Sequence, residues 1–91
     1  MTVKAKFFAY FREVFGGRER DIALGQGASV GEALALLCDT PARRGEIFAG
    51  GELKPHLVVM LNGVPIQSLK GTSTPLAEGD TLAVFPMMGG G

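Results

Sequence analysis

The stretch Ser29–Thr40, SVGEALALLCDT, carries the one clear amphipathic helix signal in the chain. Ser29 and Glu32 form a capping box. The Ser29 hydroxyl is set to accept from the Glu32 backbone N–H, and the Glu32 carboxylate can reach back to the Ser29 N–H. Val30, Ala33, Leu34 and Leu37 then recur at helical spacing and make an apolar stripe. Thr40 precedes Pro41 and is pushed out of helical geometry, which ends the helix there after about three turns. A single helix of this kind needs a sheet to lie on, and it covers one face only. The other face is left to water or to a partner.

The strands come from the rest of the chain. Residues 2–11, TVKAKFFAYF, alternate with period two. Val3, Ala5, Phe7 and Ala9 share one side, while Lys4, Lys6, Phe8 and Tyr10 share the other. A short turn or helix through Arg12–Phe15 ends at Gly16-Gly17, and residues 18–24 give a second strand, hairpin-paired with the first. Residues 56–61, HLVVML, are apolar at nearly every position, so this strand, opened by His56, is central or covered on both faces. Asn62-Gly63 is a hairpin turn signal, because both residues tolerate positive φ. Pro65 cannot donate to a ladder, which makes Val64–Ile66 short or an edge. In the last strand, TLAVF at 81–85, Leu82 and Val84 face the core and Thr81, Ala83 and Phe85 the opposite side. Pro86 stops further pairing. The middle, residues 41–53, is read as a short helical turn around Arg43–Phe48 followed by a Gly50-Gly51 loop.

The expectation is an α+β domain over residues 1–86, a sheet of four to five strands with one main helix packed on one face. The count of alternation puts Phe8, Tyr10 and Phe85 on the open face, with Met87 next in line. Either that cluster is a docking surface, or a loop covers it or a bulge shifts the register.

Composition removes several function classes. At 91 residues with 46% apolar content, the chain affords one domain and one modest core. Nine basic and nine acidic residues leave a net charge of zero. That argues against long-range attraction to nucleic acid or to an anionic membrane. No apolar run approaches the ~20 residues of a membrane span. The single cysteine, Cys38, allows no intrachain disulfide and suits a reducing, cytoplasmic setting. It follows Ala35, Leu36 and Leu37, so a buried thiol is expected, and Asp39 beside it has the wrong sign to activate it. One Cys and one His do not make a structural zinc site, and no metal site is expected. Lys70-Gly-Thr-Ser-Thr74 has its lysine before the glycine and is read as a polar loop, not a phosphate loop. No nucleophile–base constellation is supplied, so the chain is not expected to be a self-sufficient enzyme.

What remains is the end of the chain, VFPMMGGG. Three terminal glycines are either a frayed end or the working part. An ionised carboxylate of pKa ~3.5 is a poor electrophile and needs activation, for example as an acyl-adenylate. With no ATP motif here, a separate enzyme would have to supply that. A narrow active site admits only a thin peptide, and glycine lacks Cβ. The five residues after Pro86 span at most ~17 Å, enough to reach a buried site while the body stays outside. Residues 87–91 are thus read as a flexible tail ending in Gly-Gly.

Three segments carry a family resemblance: Phe7-Phe-Ala-Tyr-Phe-Arg-Glu-Val14 followed by Gly16; Leu61-Asn-Gly63; and Pro75-Leu-Ala-Glu-Gly-Asp80 through Val84-Phe-Pro86 to Gly90-Gly91. With them the chain resembles, nearly end to end, the ubiquitin-like sulfur carriers of the β-grasp fold, and among them most the small subunit of molybdopterin synthase. Residues 41–55 match poorly. The resemblance implies a mixed sheet and a carrier that binds no cofactor itself. A ubiquitin-activator-like enzyme would use ATP to adenylate Gly91. Sulfur would then displace AMP to leave a thiocarboxylate. The large synthase subunit, in a heterotetramer, would take the tail and pass the sulfur to precursor Z for the dithiolene of molybdopterin. Gly90 and Gly91 are the expected reacting end, and Phe8, Tyr10, Phe85, Pro86, Met87, Met88 and Gly89 the expected partner contacts. Sulfur delivery to thiazole, tRNA or cysteine synthesis, or attachment to protein lysines, stays open as an alternative.

Overall fold

The computed structural model describes residues 1–55 and 57–86. The expected strand start at His56 and the tail 87–91 lie outside the described residues.

The alternating N-terminal run forms strand β1, Thr2–Phe7, with Val3, Ala5 and Phe7 buried. A one-turn helix α1, Phe11–Val14, leads into β2, Glu19–Ala23, which pairs antiparallel with β1. The main helix α2 spans Val30–Leu37, and Ser29 Oγ accepts from the Glu32 backbone N–H at 3.2 Å, which is one half of the expected capping box; the return bond from the Ser29 N–H to the Glu32 carboxylate is not among the bonds of the described residues. Its buried residues are Val30, Ala33, Leu34 and Leu37, the stripe expected from spacing.

The middle of the chain holds more structure than the sequence reading gave it. Helix α3 covers Pro41–Ile47 and starts two residues before the expected turn. Thr40 is its N-cap, with Oγ1 accepting from the Arg43 N–H at 3.1 Å, and Pro41 fits the first turn because its missing N–H would be unpaired there. Gly50-Gly51 is the turn of a small hairpin between β3, Phe48–Ala49, and β4, Glu52–Leu53, rather than a loop. Both glycines have positive φ, at 61° and 86°, as a two-residue hairpin turn demands.

Strand β5, Val58–Leu61, turns through Asn62-Gly63, with φ of 50° and 83°, into the two-residue edge strand β6, Val64–Pro65. Two 3-10 turns, Ile66–Ser68 and Gly71–Ser73, lead on toward β7, Thr81–Phe85. Within them the Thr74 hydroxyl donates to the Gly71 carbonyl at 2.7 Å, so Lys70–Thr74 is a self-bonded polar turn.

The five-stranded sheet runs β2-β1-β7-β5-β6. β1 and β7 are parallel and all other pairs antiparallel, which makes the sheet mixed. The core lies between one sheet face and the helices. Val3, Ala5, Phe7, Val59, Leu82 and Val84 meet Leu34 and Leu37 of α2 and Ile47 of α3 in one buried cluster. α1 adds Phe11 and, just after it, Phe15, whose ring stacks on Phe7 at 4.6 Å between centroids. Cys38 is buried, its Sγ 3.7 Å from the Arg43 carbonyl, and burial pushes its thiol pKa up. Among the described residues no helix is long and apolar enough to cross a membrane, and no group of three His, Cys, Asp or Glu is placed to hold a metal ion.

Candidate functional site

The sheet face away from the helices is graded along its strands, and the registers make the gradient explicit. One row across the sheet is Asp21, Lys4 and Thr81. The next is Glu19, Lys6, Ala83, Met60 and Pro65. The third joins Phe8, one residue past the Phe7–Val84 pair, to Phe85 and Val58. Polarity falls from the first row to the third. The polar end carries an open groove of about 460 Å³ lined by Thr2, Lys4, Lys6, Asp21, Glu78 and Thr81. The apolar end is where β7 finishes and the chain passes buried Pro86 toward its terminus.

Phe8 and Phe85 form the centre of that apolar end. Their rings stack with centroids 4.2 Å apart and planes 11° from parallel. Both are half-buried, so part of the pair faces solvent. Arg12 packs against Phe8. Its Nε donates to the Phe7 carbonyl at 3.2 Å, and its guanidinium carbon sits 5.8 Å from the Phe8 ring centroid. A cation held over an aromatic face is favourable and restricts the ring.

Tyr10 does not join them. The expected strand to residue 11 stops at Phe7, because Ala9 takes φ 53° and the alternation breaks there. Ala9 is exposed rather than in the core. Tyr10 swings to the helix side, where its hydroxyl donates to Glu46 of α3 at 2.8 Å and its ring meets Phe11 edge-on. The hydrogen bond to Glu46, aided by burial, raises the phenol pKa. Met87, Met88, Gly89, Gly90 and Gly91 lie outside the described residues.

Val58, Met60 and Pro65 were not among the expected contacts, yet they extend the Phe85 row and the one beside it. Leu57, Val59 and Leu61 are buried while Val58 and Met60 are half-buried. Period-two counting within HLVVML would have separated these sets.

The turns that frame the opposite end interlock. Asn62 Nδ2 donates to Asp80 Oδ1 at 3.0 Å, the Thr81 N–H donates to Asn62 Oδ1 at 3.0 Å, and the Ala77 N–H donates to Asp80 Oδ2 at 2.8 Å. The Asn-Gly and Glu-Gly-Asp segments are thus parts of one latch that sets where β7 begins.

The ThiS family model matches residues 5–91. The chain is 37% identical over 92 residues to small archaeal modifier protein 3 of Haloferax volcanii, covering 100% of both chains. It is 40% identical over 88 residues to small archaeal modifier protein 1 of the same organism, covering 94% of this chain and 97% of the relative. The crystal structure of that second relative superposes with a TM-score of 0.86 over 100% of both chains, at 35% identity. The structure of a Pyrococcus furiosus protein assigned as molybdopterin converting factor subunit 1 superposes with a TM-score of 0.73 at 25% identity, over 94% of this chain and 97% of that one. The mixed sheet with its packed helix is accordingly a β-grasp fold. With the family match running from the first strand to the last residue, the chain belongs to the ThiS family of ubiquitin-like sulfur carriers.

Proposed function

We propose that this protein is the sulfur-carrying small subunit of a molybdopterin synthase, working in the cytoplasm, with the α-carboxylate of Gly91 as its only reacting group. The observation that carries the reading is the apolar row Phe8–Phe85–Val58 at the end of the sheet where the chain leaves through Pro86. A partner docked there lies beside the root of a tail long enough to enter its active site. The sequence supplies no nucleophile–base pair, and the reading accordingly assigns the catalytic groups to the partners.

The chemistry is then the partners'. A Gly91 carboxylate oxygen attacks the α-phosphorus of ATP bound to an activator-like enzyme, and pyrophosphate leaves. A hydrosulfide-level sulfur attacks the acyl carbon, and AMP departs with its bridging oxygen. In the large synthase subunit the thiocarboxylate sulfur displaces an oxygen substituent from a carbon of precursor Z, and water then cleaves the acyl–sulfur bond, leaving the thiol on the product and the carboxylate on Gly91. Carrying a charged, otherwise inert carboxylate through an adenylate is what makes the carbonyl electrophilic. Neither nucleic acid nor membrane has a part in this.

A second reading shares the first step and differs in the acceptor. A lysine amine on a target protein displaces AMP or sulfide and forms an isopeptide bond. The relatives named as modifier proteins, at 37% and 40% identity, favour it.

Co-expression with an activator-like adenylating enzyme tests both. The carrier reading expects an intact-mass gain of one sulfur for one oxygen, placed on Gly91 by fragmentation, and turnover of precursor Z once the large subunit is added. Lysine conjugates bearing a Gly-Gly remnant, without precursor Z turnover, would select the modifier reading. An unaltered terminus in every combination would remove both.

A further inference from the structure

We infer that Lys6 is a specificity residue: it selects an activating enzyme whose docking surface presents a carboxylate opposite it, beside the pocket for Phe85. The inference rests on the docking reading above and adds the chemistry of the partner.

Lys6 stands on the open face in the row between the charged and the aromatic ends. It is exposed, two residues before Phe8 on the same face and next to Ala83 on β7. The small Ala83 side chain leaves the Lys6 stem uncovered on that side. The neighbouring cations of this face are already engaged. Lys4 bonds Glu19 at 3.3 Å, and Arg12 is committed to the Phe7 carbonyl and the Phe8 ring. Among the described residues Lys6 has no ion-pair partner within bonding distance: its cross-strand neighbour Glu19 pairs with Lys4 on the surface, and Asp21 and Glu78 share its groove without pairing with it.

A stable interface buries roughly 800 Å² on each partner. A footprint of that size centred on Phe85 reaches about 15 Å in each direction, whereas Lys6 lies only about 7 Å along the strand from Phe8. Docking therefore covers Lys6. An ammonium taken from water without a counter-charge is strongly unfavourable. A partner with a carboxylate there keeps that charge paired, and one with an apolar or basic group is rejected. The apolar row supplies affinity that any carrier of this shape could offer, and Lys6 supplies the choice.

The test uses the full chain and the adenylating enzyme that loads wild-type Gly91, with pyrophosphate release as the readout. Lys6→Glu is expected to raise KM about tenfold or more in about 50 mM salt, with kcat unchanged, and the gap is expected to narrow at high salt. Lys6→Gln, which adds no like charge beside Glu19, is expected to fall between. A carboxylate-to-lysine change on the enzyme is expected to restore Lys6→Glu. If both Lys6 variants match wild type while Phe85→Lys raises KM, the Lys6 inference is overturned and the docking reading stands. If Phe85→Lys also matches wild type, the docking reading falls and takes this inference with it. A loss of kcat together with lowered thermal stability in both Lys6 variants would mean a structural role and overturn it as well.

Discussion

The Phe8 ring lies flat against Phe85, 4.2 Å between centroids and 11° from parallel, with the Arg12 guanidinium carbon 5.8 Å from the Phe8 centroid. The pair joins the first and last strands through the parallel β1–β7 ladder. The aromatic platform and the start of the tail are thereby fixed to the same two strands.

Replacing Phe85 by lysine is expected to weaken binding of the activating enzyme at least tenfold, the effect of losing a central aromatic anchor. The body should stay folded, because Phe85 is only half-buried: the stack contributes about 0.5–1.5 kcal/mol and the partial burial of the ring about 1 kcal/mol more. That corresponds to a lowering of Tm by no more than about 15 °C in a domain of this size. Isothermal titration against the enzyme and a thermal melt check the two parts. Unchanged affinity would mean the platform is not the docking surface.

Asn62 accounts for a different kind of stability. It sits at φ 50° and holds both Asp80 and the Thr81 N–H. Asn62→Ala loses two hydrogen bonds, roughly 1 kcal/mol each at most for exposed groups, and adds about 1 kcal/mol of left-handed backbone strain. Asn62→Gly loses the bonds but not the backbone fit. The alanine variant is therefore expected to melt below the glycine variant, and both below wild type. Equal melting of all three would mean the latch contributes nothing.

Asp39 links α2, α3 and β2, bonding Arg43 at 2.7 Å and Arg20 at 3.6 Å. The Arg43 hydrogen bond, with the two positive charges, holds its carboxyl below the usual value. A depressed folded pKa means the contribution is present above the unfolded pKa of ~3.9 and is lost as pH falls through the folded one. Denaturant titrations between pH 7 and pH 2 should show Asp39→Asn losing less stability than wild type at the acid end. Parallel curves would contradict this. The site is on the surface, and high salt should shrink the difference.

Cys38 is buried and its thiol pKa is raised chiefly by that burial. It should alkylate slowly at pH 7.5 in the folded protein and quickly in denaturant. Cys38→Ala is expected to leave Gly91 loading intact while lowering stability by about 1 kcal/mol through the small cavity left behind. Loss of loading in a folded Cys38→Ala protein would mean sulfur passes through this thiol.

Where the pattern was local and strong, the residues themselves determined the structure. Ser29 and Thr40 carry hydroxyls one turn ahead of amides that need an acceptor, and Asn62-Gly63 admits the positive φ of its turn. Alternation along 2–7 and 81–85 set which side chains face the core, because a strand has no freedom over its period. The terminal glycines are likewise a property of sequence alone.

The tertiary structure decided what depends on neighbours far along the chain. Ala9 accepts a left-handed backbone that no local rule demanded, and so Tyr10 was carried from the open face to Glu46. Helix α3 and its hairpin pack Ile47 into the core, a gain that period counting over PARRGEIFAGGEL could not register. Above all, alternation assigns a face but never a neighbour. Only the parallel register of β1 with β7 put Phe8 against Phe85 and left Lys6 beside them, since strand order is chosen by the burial of the whole sheet.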